Sequence, residues 1–324
     1  MKKELSYLDT VKTIDKVRKF FEGQLESRLS LIKVQSPLFV KSDSGLQDAL
    51  TGVEKGVSFK KESEKFEIVH SLAKWKRDAL GRYDFPMHTG LYTDMKAIRK
   101  DEKVDDIHSL FVEQWDWEKV ISEEDRTIDY LKETVKSIYK SLRQTAIFIE
   151  KKYKLKMVDL PKSLFFITSQ ELEDMYPSKT PKEREEIIVK EKKCVFIIGI
   201  GDMLKSGIPH DLRSPDYDDW SLDGDLIVYD KVIDKAVELS SMGIRVNKES
   251  LLKQLKEKNE EFKLDLPYHQ DIINNRLPLT IGGGIGQSRM CMFMLKKVHI
   301  GEVQTSYWPE EDIKLFLDNN IHLL

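Results

Sequence analysis

Apolar residues near the N-terminus recur at three- and four-residue steps. Val11, Ile14, Val17, Phe21 and Leu25 form one stripe with Lys, Arg and Asp between them, and this spacing predicts an amphipathic helix. A longer stripe, Ile128, Leu131, Val135, Ile138, Leu142, Thr145 and Ile149, predicts a second helix over Thr127–Lys152. Its spacing is heptad-like, so a coiled coil is one reading; a helix packed on a sheet is the favoured one. Shorter runs predict strands at Phe66–His70, Leu91–Arg99, Ile107–Trp117, Leu164–Thr168, Cys194–Ile200, Gly224–Tyr229, Glu238–Val246 and Leu279–Gly283. Many are joined by links without a helix, which suit antiparallel pairs, whereas parallel strands need a crossover of about a dozen residues or more. The expected fold class is α+β, a mainly antiparallel sheet flanked by helices, and a Rossmann-like fold is disfavoured. With no internal repeat, low-complexity tract or Pro/Gly/Ser linker, residues 1–324 read as a single domain.

Composition acts on this picture by exclusion. Hydrophobic residues make up 40% of the chain, enough for a sizeable core. No apolar run approaches the ~18 residues of a membrane span. After Met1-Lys2-Lys3 the chain goes straight to Glu4, Ser6 and Asp9, without the apolar stretch of a signal peptide. Cys194 and Cys291 lie in apolar surroundings, which suits reduced thiols in a cytoplasmic protein. The 53 basic and 56 acidic residues leave a net charge of −3, so nothing in the global balance points to nucleic acid.

Several nucleotide and metal motifs fail. Gly199-Ile-Gly201 follows an apolar run, but Leu204 stands where the dinucleotide fingerprint has its third glycine. Gly282–Gly286 is not followed by Gly-Lys-Ser/Thr, and no His-Glu-x-x-His, zinc-spaced cysteine pair or Gly-x-Ser-x-Gly occurs. Thr280–Arg289 is still informative: it runs from a strand through glycines into an apolar helix at Met290–Leu295. Glycines admit a ligand close to the backbone. Arg289 sits in the helix's first turn, where the dipole disfavours a cation unless an anion is held there. A tight turn with a surface arginine reads equally well.

Arg99 ends one strand of the pair Leu91–Arg99 and Ile107–Trp117, and a charged loop with Glu102 joins them. Alternation places Val112, Gln114 and Asp116 on one face of the second strand, and Phe111, Glu113, Trp115 and Trp117 on the other. Asp225, Glu238 and Arg245 put two carboxylates and an arginine on neighbouring strands. Taken alone, Lys74–Arg77 reads as a basic helix face and Asp216–Asp219 as a solvated acidic turn. Trp115 and Trp117 read as core or dimer-contact residues, and the two cysteines as packing residues.

These segments resemble the catalytic domain of class II aminoacyl-tRNA synthetases and, more closely, the aspartate–ammonia ligase family. The resemblance covers essentially the whole chain. Its strongest runs are Val69–Arg77, Gly90–Arg99, Glu113–Glu118, Pro215–Trp220, Glu238–Arg245 and Thr280–Arg289. One departure is the short stretch between Asp219 and Gly224, where a longer loop is expected, and this bears on where Asp218 lies. The family fold implies a homodimer, with Pro37 at the position of the class II interface proline.

The resemblance implies ATP-dependent amidation of L-aspartate by ammonia, through a β-aspartyl adenylate, releasing AMP and diphosphate. Arg99 is then the clamp on the α-phosphate and the reacting carboxylate, and Arg289 the holder of the terminal phosphates. Asp225 and Glu238 are the candidate Mg²⁺ ligands, and Glu102 is a candidate for the adenine. Lys76 and Arg245 are expected to grip the α-carboxylate. Asp116 faces the α-ammonium, with Asp218 and Ser71 in support and Ser240 completing the substrate set. Gln114 bonds the reacting end, and Asp48 serves the ammonia step. The alternatives are an aspartyl-type tRNA-charging enzyme, a non-catalytic synthetase relative and a glutamine-using synthetase. The first lacks room for an anticodon-binding barrel, so tRNA is not expected as a partner. The second should lose its catalytic arginines, and the third needs a cysteine where Lys2 stands.

Overall fold

A computed structural model of the chain describes residues 5–52, 54–156 and 158–324. The argument from Lys2 about the nitrogen donor lies outside these residues. The strands are β1 (Leu31–Lys33), β2 (Phe39–Lys41), β3 (Ser58–Lys61), β4 (Glu64–Ile68), β5 (Gly90–Ile98), β6 (Phe111–Val120), β7 (Phe165–Thr168), β8 (Cys194–Ile198), β9 (Asp218–Asp230), β10 (Lys235–Arg245) and β11 (Thr280–Gly286). The helices are α1 (Tyr7–Leu29), α2 (Ala73–Arg82), α3 (Ile128–Tyr153), α4 (Ser169–Met175), α5 (Pro181–Lys192), α6 (Lys248–Lys258), α7 (Pro267–Ile273), α8 (Gln287–Leu295) and α9 (Glu310–Asp318).

Eight strands form one sheet in the order β1-β5-β6-β11-β10-β9-β8-β7, and β2-β4-β3 form a small second sheet. The inner pairings are all antiparallel, but both edge pairings, β1 with β5 and β7 with β8, are parallel. The sheet is therefore mixed. The two parallel pairs occur where the chain between partners is long enough for a crossover: β2–β4 and α2 in one case, α4 and α5 in the other.

One face of the sheet is apolar. Phe21 and Leu25 of α1, Val135, Ile138 and Leu142 of α3, and Trp115 and Trp117 of β6 share a core with Leu226 and Val228 of β9. The helix α3 packs on α1 and the sheet, with Phe20 stacked on Phe148 at 4.3 Å, as the favoured reading required. Thr127 caps α3 by accepting from the Tyr130 amide. The two tryptophans and the two cysteines are all core residues. The opposite face of β6 carries Gln114, Asp116 and Glu118, so alternation leaves polar groups where α2 crosses the sheet. Among the described residues, no helix is long and apolar enough to cross a membrane.

Two segments that read as surface charge are internal. Lys74, Lys76 and Arg77 of α2 are all buried, and each finds a partner. Arg77 donates to the carbonyls of Pro278 at 2.8 Å and Val246 at 2.6 Å. Asp216, Asp218 and Asp219 are buried as well. Asp216 accepts from Lys74 Nζ at 2.9 Å, His269 Nε2 at 3.0 Å and Ser214 Oγ at 2.8 Å. This one carboxylate thereby ties α2, α7 and the turn before β9 together. Asp219 receives Arg126 Nη2 at 2.9 Å. Nor is there a loop between Asp219 and Gly224: both lie within the single strand β9.

Burial raises the Asp216 carboxyl, but Lys74, His269 and Lys263 more than offset this and hold it well below the ordinary range. Its contribution to stability is fully present above the unfolded carboxyl value of about 4 and is lost as pH falls toward the folded value. Asp216→Asn is expected to cost about 3 kcal/mol at pH 7, because it strands buried cations. Urea unfolding at a series of pH values should show the gap to wild type narrowing below about pH 4; a constant gap contradicts the assignment.

Candidate active site

The polar face of the sheet opens into a cavity of about 420 Å³. Its walls include Ser71, Arg99, Glu102, Gln114, Asp116, Asp218, Glu238, Arg245 and Arg289, so nine expected residues converge on one space. Asp48, Lys76, Asp225 and Ser240 do not line it. Asp48, Lys76 and Ser240 sit one layer behind the wall, each for a different reason.

Lys76 lies under Asp116. Its ammonium donates to Asp116 Oδ1 at 2.5 Å and to the carbonyls of Trp117 at 3.0 Å and Gly283 at 3.2 Å. An ammonium has three N–H bonds, and all three are engaged. The structure thus replaces direct contact with a ligand by a role in fixing Asp116, whose other oxygen accepts the Leu72 amide at 3.0 Å.

Asp48 lies behind Ser71. Its Oδ2 accepts from Ser71 Oγ at 2.5 Å and from the Ala73 amide at 2.6 Å, so it caps α2 from a distant loop. Burial pushes its carboxyl above the ordinary range, with Lys74 and the Ser71 hydrogen bond opposing. Its access to the cavity is through the Ser71 hydroxyl.

Ser240 is displaced by a β-bulge. The register of β10 against β9 shifts between Glu238 and Ser240, which reverses the alternation on either side. Ser240 donates to the Gly284 carbonyl at 2.8 Å, and Ser241 faces the cavity in its place. Plain period-two counting could not find this.

Arg245 is the best-held cation of the site. Its Nε and Nη2 donate to Glu118 at 2.9 and 2.8 Å, and Nη1 donates to Asp218, directly across the strand pair. Burial lowers its pKa, but Glu118 and Asp218 more than compensate and keep the guanidinium firmly charged. Glu118 also accepts from Thr280 Oγ1 at 2.7 Å. Glu118 went unassigned in the sequence, although it shares the alternating face of Gln114 and Asp116. Arg213 was also missed: it precedes the acidic run in a loop with no periodicity. It donates to Asp218 Oδ2 at 3.0 Å and Ser241 Oγ at 2.8 Å.

The other end of the cavity is less satisfied. The Arg99 side chain makes no hydrogen bond or ion pair among the described residues, and its Nε is buried without a partner. Burial and the neighbouring Arg289 both lower its pKa. Arg289 donates Nη1 to the Glu238 carbonyl at 3.2 Å and stands 3.7 Å from the Glu238 carboxylate. Two guanidiniums facing one space, one of them unpaired, form a site for a polyanion.

Asp225 and Glu238 lie on adjacent strands. Burial and the neighbouring Glu238 push the Asp225 carboxyl well above its usual range, and its Oδ1 is buried without a partner. Burial raises Glu238 too, but Arg289, Lys182, Arg213 and Arg99 outweigh that and lower it. No cluster of three or more His, Cys, Asp or Glu among the described residues suits a metal by itself. Two carboxylates, one with an orphaned oxygen, do fit Mg²⁺ completed by phosphate oxygens and water.

The architecture is that of class II aminoacyl-tRNA synthetase catalytic domains. The asparaginyl-tRNA synthetase of Pyrococcus horikoshii, solved with asparaginyl-adenylate, superposes with a TM-score of 0.67 over 93% of this chain and 70% of that one, at 14% identity. The aspartyl-tRNA synthetase of Entamoeba histolytica gives 0.61 over 92% of this chain and 58% of that one, at 15% identity. These likenesses define the fold. A family model for aspartate-ammonia ligase matches residues 8–320. An aspartate–ammonia ligase of Clostridium perfringens is 57% identical over 323 residues, covering 99% of this chain and 96% of that protein. One from Clostridium tetani is 54% identical over 326 residues, covering 100% and 96%. The chain belongs to the aspartate–ammonia ligase family.

Gly282 pairs with Glu118 across β11 and β6. A Cβ there would run into Glu118 Oε2 and lie 2.7 Å from Arg245 Nη2. Gly282→Ala is therefore expected to cost about 2 kcal/mol, as overpacking does, when measured by chemical unfolding. Wild-type stability in this variant would contradict the close seating of the pair.

Proposed function

We infer that this chain makes asparagine from aspartate, ammonia and ATP, the reaction of its family, by way of a β-aspartyl adenylate. The observation that carries the mechanism is the unpaired Arg99 guanidinium beside Arg289 in the cavity wall. A carboxylate is a poor electrophile, and adenylation gives it a leaving group. A β-carboxylate oxygen attacks the α-phosphorus. The new P–O bond forms as the bond to the bridging oxygen breaks, and diphosphate leaves with the electron pair. This step brings anions together, so fixed cations facing them lower its barrier. Arg99 bridges the α-phosphate and the attacking carboxylate with its planar fork. Arg289 holds the terminal phosphates. Asp225 and Glu238 would hold Mg²⁺, which supplies further screening of the phosphate charge when bound.

Aspartate sits at the saturated end. Glu118 and Asp218 occupy three of the five N–H bonds of Arg245, leaving one on each terminal nitrogen for the α-carboxylate. Asp116 and Asp218 face the α-ammonium, and the Gln114 amide reaches the reacting end. Lys76 and Ser240 position these groups and do not touch substrate. In the second step ammonia attacks the β-carbonyl carbon, the bond to AMP oxygen breaks, and the nitrogen loses a proton. The Ser71 hydroxyl lines the cavity and leans on Asp48, so Asp48 draws that proton through Ser71.

Ammonia, not tRNA, is the acceptor in this reading, and the cytoplasm, where the buried Cys194 and Cys291 stay reduced, is its place. A second copy covers the exposed apolar residues Ile32, Leu38, Phe39 and Phe59 around Pro37, making a homodimer.

Incubation with aspartate, ATP, Mg²⁺ and ammonium should yield asparagine and AMP; ADP and phosphate would contradict adenylation. Arg99→Ala should lower aspartate-dependent ATP–diphosphate exchange by about 10³-fold, and normal exchange in this variant refutes the clamp. Asp48→Asn should leave exchange largely intact and slow asparagine formation. Equal loss of both steps would make Asp48 a support for aspartate binding instead.

A further inference from the structure

The helix α5 lies on the cavity face of the sheet. Asp225, Ile227 and Tyr229 alternate onto one face of β9, and Ile227 and Tyr229 share an apolar cluster with Ile188 and Val189 of α5. Two contacts set the register of α5 along β10. Lys190 Nζ donates to Asp234 at 2.8 Å, and Glu186 accepts the Ala236 amide at 3.0 Å. Four residues of helix, about 6 Å, thus match two residues of strand, about 6.6 Å. One further turn back from Glu186 brings Lys182 over Glu238.

The neighbours of Lys182 agree with that register. Its ammonium donates to Glu185 Oε2 at 2.7 Å, and the buried Glu185 accepts from His210 Nε2 on its other oxygen at 3.1 Å. Asp211, next in the chain, lines the cavity. Crowding by neighbouring elements lowers the Lys182 pKa, but Glu185, Glu238 and Asp225 outweigh this and keep the ammonium charged. Burial raises the Glu238 carboxyl, and among the cations that outweigh it Lys182 comes second only to Arg289. The Lys182 side chain itself is exposed to water. It is therefore a cation at the cavity mouth, beside the two carboxylates that mark the phosphate end.

Lys182 follows the Thr180 cap of α5 by two residues, and a cation in the first turn of a helix opposes the helix dipole unless an anion is held there. Glu185 engages one of the three N–H bonds of the ammonium and leaves two. Given the ATP-dependent reaction inferred above, on which this rests, we propose that Lys182 is a further catalytic residue, which binds the terminal phosphates of ATP and steadies the diphosphate as it leaves. Arg289 approaches those phosphates from α8 and Lys182 from α5, so the leaving group is met from two elements. A fixed cation beside the charge that develops on the leaving oxygen lowers the barrier to its departure. The α-phosphate belongs to Arg99, so Lys182 serves ATP and diphosphate but not AMP.

Lys182→Gln removes the charge at an exposed position and should unfold at the wild-type temperature. In initial-rate assays on the full chain it should lower kcat/KM for ATP by about tenfold, the worth of one hydrogen bond to a charged group, with KM for aspartate kept. Inhibition by added diphosphate should weaken by a similar factor, while equilibrium binding of AMP stays at the wild-type affinity. Lys182→Arg should restore most of the loss toward ATP and diphosphate. Wild-type kcat/KM for ATP and wild-type inhibition by diphosphate in Lys182→Gln overturn the proposal. An equal loss of AMP binding also overturns it, because Lys182 would then attract anions in general. If wild type forms no asparagine and AMP, the reaction is overturned instead, and calorimetric binding of inorganic diphosphate to wild type and Lys182→Gln still judges Lys182.

Discussion

The site depends on Arg245 and Glu118, a pair of charges buried in the floor of the central sheet. Removing charges from water costs several kcal/mol each, and the attraction between them repays this only with good geometry and further hydrogen bonds. That geometry constrains the surrounding structure. Glu118 must face Arg245 across β11, so the intervening strand can bear no side chain at Gly282. Asp218 must lie opposite Arg245 on β9, and Thr280 must bring its hydroxyl to Glu118. Lys76 reaches the same layer from α2, 3.7 Å from Glu118. Breaking one partner of such a set is far more damaging than replacing the whole set, so its use is to fix positions and not to add stability.

The two ends of the cavity are consequently unlike. At the Arg245 end nearly every charged group already has a partner, so that in the proposed function a bound amino acid meets a rigid, pre-aligned frame. At the Arg99 end that guanidinium lacks a partner among the described residues, and Asp225 keeps an orphaned oxygen. In the proposed function, a phosphate chain and its counter-ion complete that end. Pre-aligned donors aimed at developing charge need no reorganisation during reaction. Unpaired charges before binding are the counterpart of strong binding afterward. In the proposed function this division lets one reactant be recognised by shape and the other by charge.

Much of this was legible in the sequence, because the two main helices and most strands follow plain periodicity. The alternation of β6 placed Gln114 and Asp116 on the cavity side and the tryptophans in the core. The resemblance put Ser240 among the substrate residues, but a bulge in β10 moves it off the wall and brings Ser241 onto it. Periodicity was silent about Arg213, held in a loop, and about the burial of Lys74, Lys76 and Arg77. Three basic residues on a helix look solvated until their partners are known, and these lie far away in the chain, at Asp116, Asp216 and the carbonyls of Val246 and Pro278. The parallel edges of the sheet were missed for a related reason: local link lengths describe neighbours in sequence, and both edges are closed by long crossovers.

The central claim is that the β-carboxylate of aspartate attacks the α-phosphorus of ATP while Arg245 retains the α-carboxylate. Oxygen transfer tests this directly. Aspartate labelled with ¹⁸O in the β-carboxylate alone should deliver one labelled oxygen to the phosphate of AMP as asparagine forms, and aspartate labelled in the α-carboxylate should deliver none. Label in AMP from the α-carboxylate would reverse the binding orientation, and label in inorganic phosphate would contradict adenylation altogether.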